Sequence, residues 1–257
     1  MKILNTDFQL DDFLRQLRTP FSRLIGLDYD GTLAPFQKDP SRAVPYPGVC
    51  EQLNKIMKNP LNHVIIISGR WTKSLIPLLK LEKRPEIWGS HGLERLKPDG
   101  TIETEPMDAK SLEGLSEAFN WLQSAGLKLR PEKKPGCLAL HWRGMDAKQA
   151  QRETVRAIEK LQVIAEKSDL LLQEFDGGVE LRVSGRDKGD VMRTLIEEED
   201  KNSITVYLGD DQTDENAFRA IKGKGTGVLV RQERKKTSAD IWLKPPSEML
   251  EFLSLFT

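Results

Sequence analysis

Short apolar runs that stop at glycine, serine or acidic residues recur along the chain. Residues 24–27, 62–67, 86–89, 204–208, 227–230 and 240–243 are rich in Leu, Ile, Val and Trp, the pattern of buried strands. Helical spacing of apolar positions separates them near 48–58, 71–80, 191–196 and 247–255. Such alternation predicts an α/β fold, a doubly wound parallel-sheet (Rossmann-like) core with helices on both faces. The middle of the chain reads differently. Leu112, Leu115, Phe119 and Leu122 share one face of a helix over 111–124, and a longer helix covers 147–167. Strands are expected at 127–130 and 137–142, joined by the turn-like stretch 131–136. A further pair at 170–174 and 179–183 flanks 175–178, a hairpin signal. The αββαββ order predicts an inserted α+β cap domain at 106–183, between core segments 1–105 and 184–257. We read it as a lid, since excluding water protects reactive intermediates.

The N-terminal residues 1–20 place Phe8, Leu10, Phe13, Leu14 and Leu17 on an amphipathic helix. Asp7, Asp11, Asp12 and Arg15 interrupt any signal-peptide pattern. With 39 basic and 39 acidic residues, the 257-residue chain lacks the electrostatic footprint of a nucleic-acid binder. No apolar run is long enough to span a bilayer. We expect no membrane and no nucleic-acid partner, a cytoplasmic location by default, and a monomer. Cys50 and Cys137 lack metal spacing, and three histidines make a His-rich metal centre a poor expectation.

Candidate chemistry sits where the strands end. Past the first run stand Asp28 and Asp30, then Gly31 and Thr32. Carboxylates at i and i+2 point the same way on an extended backbone. They repel unless something neutralises them, and Mg²⁺, a hard cation that takes oxygen ligands, does so. A carboxylate held against Mg²⁺ and a phosphate can attack phosphorus. Alone, this motif reads equally well as an acidic turn. The second strand ends in Ser68-Gly69-Arg70, where a hydroxyl, a free backbone N–H and a helix N-terminus can hold a phosphate oxygen. Lys188 opens a helix from which it could face that phosphate, although a lone lysine is more often solvated. The 204–208 strand runs into Asp210, Asp211, Thr213 and Asp214. Asp210 leaves the strand directly and is the best metal ligand of the group. Asp214 could reach the same place, and Asp211 or Thr213 could instead cap the following helix. In open parallel sheets, ligands bind beyond the carboxyl ends of the strands, so these loops can converge on one phosphate. The glycines at 223–227 precede a strand and read as a turn, and the charged residues 231–236 read as a solvated loop.

Together, DxDGT, Ser, Lys and GDDxxD resemble the haloacid dehalogenase superfamily of phosphatases. The resemblance implies that Asp28 is the nucleophile and Asp30 the general acid/base. It further implies that Asp28, the Asp30 carbonyl and Asp210 bind Mg²⁺, and that Ser68 and Lys188 hold the phosphate. In the insert, Glu132, Lys133, Lys134, His141, Arg143, Glu180 and Arg182 alternate in charge, which suits a ligand rich in hydroxyls, each both donor and acceptor. A small-molecule sugar phosphate is the expected substrate. Gly89-Ser90-His91-Gly92-Leu93-Glu94, His141-Trp142-Arg143 and Val179-Glu180-Leu181-Arg182 resemble the trehalose-6-phosphate phosphatases. That resemblance maps sugar binding onto Glu180 and Lys134, with His91 in the motif after the third strand. The chain departs from the family where Trp142 stands for a common Tyr and Val183 for a common Pro. Alternatives are a phosphatase for another glycosyl phosphate (sucrose phosphate or a glycosyl phosphoglycerate), a sugar phosphomutase, or a non-catalytic sugar-phosphate sensor.

Overall fold

The structure, a computed structural model, describes every residue of the chain except 38, 143 and 176. Two compact units are present: residues 1–103 with 186–257, and residues 104–185. In chain order, the elements begin with β1 (Lys2–Ile3), α1 (Leu10–Gln16), β2 (Arg23–Leu27), α2 (Val49–Ile56), β3 (Asn62–Ile67), α3 (Thr72–Leu75), β4 (Glu86–Gly89), β5 (Glu94–Leu96) and β6 (Ile102–Thr104). The insert follows as α4 (Ala109–Ser124), β7 (Arg130–Lys134), β8 (Cys137–His141), α5 (Ala147–Lys167), β9 (Leu170–Phe175) and β10 (Gly178–Val183). The chain closes with α6 (Lys188–Glu198), β11 (Ile204–Gly209), α7 (Asp214–Ala220), β12 (Gly225–Val230), β13 (Ile241–Leu243) and α8 (Ser247–Leu253).

The first unit is built on a sheet of order β1-β13-β12-β11-β2-β3-β4-β5-β6. Its six central strands, β13 to β4, run parallel, and β1 and β5 pair antiparallel at either side. Residues alternate between the two faces of each strand. Ile25, Leu27, Val64 and Ile66 therefore join one apolar layer with Phe13 of α1, Leu53 of α2 and Phe252 of α8. Leu24, Ile65 and Ile67 join the other with Met192 of α6 and Phe218 of α7. Strands buried on both faces must be apolar throughout, as these runs are. Each fully buried side chain of this size contributes roughly 1.5–3 kcal/mol.

The second unit has a four-stranded sheet of order β7-β8-β10-β9, antiparallel throughout. Leu138, Leu140, Val179 and Leu181 point to one face, where α4 and α5 pack. The register puts Glu132 and Glu180 on either side of Ala139, and Lys134 and Arg182 on either side of Cys137. The other face is therefore polar, with a small residue at its middle.

Two elements depart from the sequence expectation. The helix expected at 71–80 is one turn, α3, followed by a tighter turn over Ile76–Leu78, because Pro77 has no N–H to continue it. The first insert strand lies at Arg130–Lys134, not at 127–130, and so runs mostly through the stretch 131–136 expected to turn. Its alternating charges suit a half-polar sheet, and the reversal is confined to Pro135-Gly136, with Gly136 at φ +62°. Strands β1, β5 and β6 add to the expected set. Both cysteines are free thiols. Among the described residues, no helix is long and apolar enough to cross a membrane.

Candidate active site

Parallel pairing carries the site residues to the same edge of the sheet. The Asp28 N–H still donates to Leu208 O at 2.9 Å, and the Ser68 N–H to Trp88 O at 2.8 Å. The strand order thus continues one residue past β2 and β3 and fixes where both side chains start. The chain then turns at Gly31, at φ +90°, where a Cβ would strike the Asp210 carboxylate. Only glycine lets the first loop and Asp210 come this close.

Lys188 is the first residue of α6, whose start is fixed by a capping box between Asp187 and Asp190. Its Nζ donates to Asp28 Oδ1 at 2.6 Å and to Asp214 Oδ1 at 2.7 Å. Asp214 is fully occupied. Its Oδ1 also accepts the Tyr207 hydroxyl at 2.6 Å, and its Oδ2 accepts the N–H groups of Asp210 and Asp211, both at 3.0 Å. Asp211 accepts both the N–H and the hydroxyl of Thr213 at 2.7 Å. Thr213 makes no side-chain cap to α7, because its hydroxyl is turned back to Asp211.

Asp28, Asp210 and Asp214 each bring a carboxylate oxygen within 4.8 Å of the others, all buried. Among the described residues, only Lys188 offsets them by direct contact, through Asp28 and Asp214. Asp28 Oδ2 and Asp210 Oδ1 are buried with no hydrogen-bond partner, as is the Thr32 hydroxyl. Burial pushes the Asp28 carboxyl well above the carboxylate range; Lys188 opposes that, and Asp214 and Asp210 add to it. Burial, then Asp214 and Asp211, push Asp210 up to about 8. Lys188 moves up despite burial, because Asp214 and Asp28 hold its charge.

Ser68 is buried and its Oγ accepts the Arg70 N–H at 3.2 Å. Arg70 reaches Asp30 and forks onto its carboxylate. The Ser90-His91-Gly92 turn has three successive positive φ angles (49°, 59° and 99°), uncommon for the first two residues. It is pinned to the Ser68 loop by Ser90 N–H to Arg70 O at 2.8 Å and His91 N–H to Ser68 O at 3.1 Å. A Cβ on Gly69 would press on the His91 ring. Glu94, also buried, accepts from Thr72 N at 3.1 Å, Thr72 Oγ1 at 2.6 Å and Trp71 Nε1 at 3.1 Å, and so ties down the start of α3. In the second unit, Lys134 pairs with Glu180 at 3.4 Å, and His141 with Glu132 at 2.9 Å. Burial disfavours the Lys134 charge, yet Glu180 moves it upward. The His141 bond holds Glu132 below its ordinary range. Arg182 lies on the same face, next to Cys137 in the register. Arg143 lies outside the described residues.

Sequence reasoning gave no role to Thr32, Tyr207, Glu94 or Arg231. The signals were a hydroxyl after Gly31, a tyrosine inside an otherwise apolar strand, and a buried acid closing the Gly89–Glu94 motif. Arg231 opens the loop expected to be solvated, yet its Nη1 donates to Asp210 O at 3.1 Å.

The sequence model of the family described as trehalose-phosphatase matches residues 26–247. The chain belongs to the trehalose-phosphatase family. It is 30% identical to a trehalose 6-phosphate phosphatase of Zea mays over 88% of this chain and 67% of that protein. The chain spans about two thirds of the length of its plant relatives. A trehalose-6-phosphate phosphatase structure from Aspergillus fumigatus superposes with TM-score 0.67 at 26% identity, covering 97% of both chains. The C-terminal domain of the Candida albicans trehalose-6-phosphate phosphatase shares the fold, with TM-score 0.78 at 24% identity over 100% of this chain and 99% of that one. The trehalose-phosphatase match covers the Asp28, Ser68, Lys188 and Asp210 loops in one span.

Proposed function

We propose that the chain hydrolyses trehalose 6-phosphate to trehalose and phosphate, with Mg²⁺, through an aspartyl-phosphate on Asp28. The observation that carries this reading is the uneven occupation of the acidic centre. Asp28 has one oxygen on Lys188 and the other buried and unpartnered, beside an equally orphaned Asp210 oxygen. Buried polar atoms are rarely left so. The donors are all hard oxygens, which fits Mg²⁺. Asp28 Oδ2, Asp210 Oδ1 and the Asp30 carbonyl would hold it, while Asp211 and Asp214 support the site through bonds already made. When bound, the ion offsets the crowded negative charge and the charge on the phosphoryl oxygens.

In the first step, a carboxylate oxygen of Asp28 attacks phosphorus, and the sugar oxygen leaves with a proton from Asp30. In the second, Asp30 takes a proton from water, whose oxygen attacks the same phosphorus and frees Asp28 and inorganic phosphate. Lys188, Ser68 and the Gly69 N–H hold phosphoryl oxygens, with His91 against Gly69. Glu180 with Lys134, and Glu132 with His141, offer the sugar hydroxyls both donors and acceptors. The names of the relatives supply the sugar. The test is phosphate release from a panel of trehalose 6-phosphate, sucrose phosphate, a glycosyl phosphoglycerate and glucose 6-phosphate. Trehalose 6-phosphate should show the highest kcat/KM, with free trehalose and phosphate formed in equal amounts. A higher kcat/KM on another member of the panel, or a product that keeps its phosphate, would overturn the reading.

A further inference from the structure

Arg70 closes the Ser68-Gly69-Arg70 loop, where the sequence suggested a direct hold on substrate. The structure gives its guanidinium a different task. Nε donates to Asp30 Oδ2 at 2.6 Å and Nη2 to Asp30 Oδ1 at 2.7 Å, a side-on fork that fixes the plane of the carboxylate. These are both of the described hydrogen bonds of that carboxylate. The fork is itself braced. Nη1 donates to Pro40 O at 2.8 Å, and the guanidinium carbon lies 5.5 Å from the centroid of the Tyr29 ring. Tyr29 is buried and its hydroxyl donates to Ala43 O at 2.6 Å, so the ring does not move away. The Arg70 backbone is held by Ser68 Oγ and Ser90 N–H, and the next two residues by Glu94. The side chains are 13% and 27% exposed, so the pair is shielded more than a surface ion pair.

We propose that Arg70 is a positioning residue, acting through Asp30 to hold its carboxylate at the angle that serves the leaving oxygen and the attacking water. This rests on the acid/base role read for Asp30. The physical reason is local. Asp30 stands in a loop beside Gly31, where its side chain would otherwise turn freely, and misplacing a catalytic group by 1 Å can cost about 10²-fold. A lysine would keep the charge but lose the fork.

The test compares Arg70→Ala, Arg70→Lys, Asp30→Asn and the Asp30→Asn/Arg70→Ala double variant. Their kcat/KM is measured on phenyl phosphate, whose leaving group needs a proton, and on p-nitrophenyl phosphate, whose leaving group needs little help. Arg70→Ala should lose about 10²-fold on phenyl phosphate and only a few-fold on p-nitrophenyl phosphate. The double variant should be no slower than Asp30→Asn alone, since the two groups act as a unit. Arg70→Lys should stay at least about tenfold down on phenyl phosphate, and it keeps the test open if the alanine variant folds poorly. Equal losses on the two esters, a multiplicative double variant, or full rescue by lysine would overturn the inference. If Asp30→Asn itself shows no preference between the esters, the acid/base reading of Asp30 fails. If Asp30→Asn discriminates and Arg70→Ala does not, only the role of Arg70 fails.

Discussion

At the amino ends of β3 and β4, His63 sits between Glu199 at 2.6 Å and Glu86 at 3.3 Å, and Arg95 spans Glu86 at 2.9 Å and Glu198 at 2.6 Å. At the carboxyl ends of the same sheet, three buried carboxylates crowd one lysine. Both clusters set carboxylates against cationic side chains, yet Glu86 and Glu199 shift one way and Asp28 and Asp210 the other. Burial opposes the Glu86 charge, but bonds from His63 and Arg95 hold it below its ordinary range, and His63 does the same for Glu199. Asp28 and Asp210 are pushed up. No atom of the His63 cluster is among the buried polar atoms left without a partner, whereas the acidic centre has two carboxylate oxygens there. A charge cluster whose donors and acceptors match fastens strands together. One left short of a cation carries a stability cost that a bound cation or the loss of a carboxylate relieves, and such local inconsistency marks functional sites.

The hardest test of that contrast is Asp28→Asn. It should lower turnover by more than about 10⁴-fold, while the melting temperature of the metal-free protein holds or rises by roughly 2–4 °C as repulsion is relieved. Residual activity near wild type, or a large loss of stability, would make Asp28 a fastener like Glu86. Chelation comes next. EDTA should silence the enzyme and Mg²⁺ restore it, with Zn²⁺ a poor substitute at an all-oxygen site. Mg²⁺ should also raise the melting temperature of wild type but not of Asp210→Asn. Equal stabilisation of both would move the ion elsewhere.

Glu180→Ala sharpens the comparison, because Glu180 is paired and still assigned to recognition. Losing bonds of roughly 1.5–3 kcal/mol should cost kcat/KM on trehalose 6-phosphate on the order of 10–100-fold, with p-nitrophenyl phosphate nearly unchanged. Equal losses on the two would return it to a structural role. The smallest effect belongs to His63. Its bonds to Glu199 and Glu86 raise its folded pKa to about 9. The stability it adds is complete below its unfolded value near 6.5, and is lost as pH rises through about 9. Melting temperature should fall by about 2–4 °C across that window, a modest figure because the side chain is partly exposed. His63→Gln should flatten that slope and leave kcat alone. A slope that persists in the variant would assign it to other groups.

The strand-end motifs were legible because each joins an apolar run to residues that such a run does not tolerate without a reason. That sufficed for the parallel core, the insert, and the loops bearing Asp28, Ser68, Lys188 and Asp210. Links between loops were not legible. Arg70 and Asp30 are 40 residues apart, and nothing local in either distinguishes a fork from a phosphate contact. Tyr207 read as one more strand residue, because its hydroxyl bond to Asp214 depends on how α7 starts. The 131–136 stretch read as a turn because its lysines, prolines and glycine say so, until the register shows Glu132 and Lys134 facing one way and Lys133 the other, against the Phe119 ring.

The insert between β6 and α6 has a consequence for how the protein is made. Lys188 is 160 residues from the carboxylate it holds. At roughly 5–20 residues per second, a ribosome takes about 8–30 s to cover that distance. Strand β2 can pair with β3 early, but its other neighbour, β11, is translated only after the whole insert. Through that interval the nascent chain carries Asp28 on an open sheet edge, without its lysine and without Asp210. The second unit, continuous in sequence, has its full set of strands before the first unit can close. The acidic centre is thus among the last things synthesis completes, and a nascent chain cut off before β11 carries Asp28 without Asp210 or Asp214.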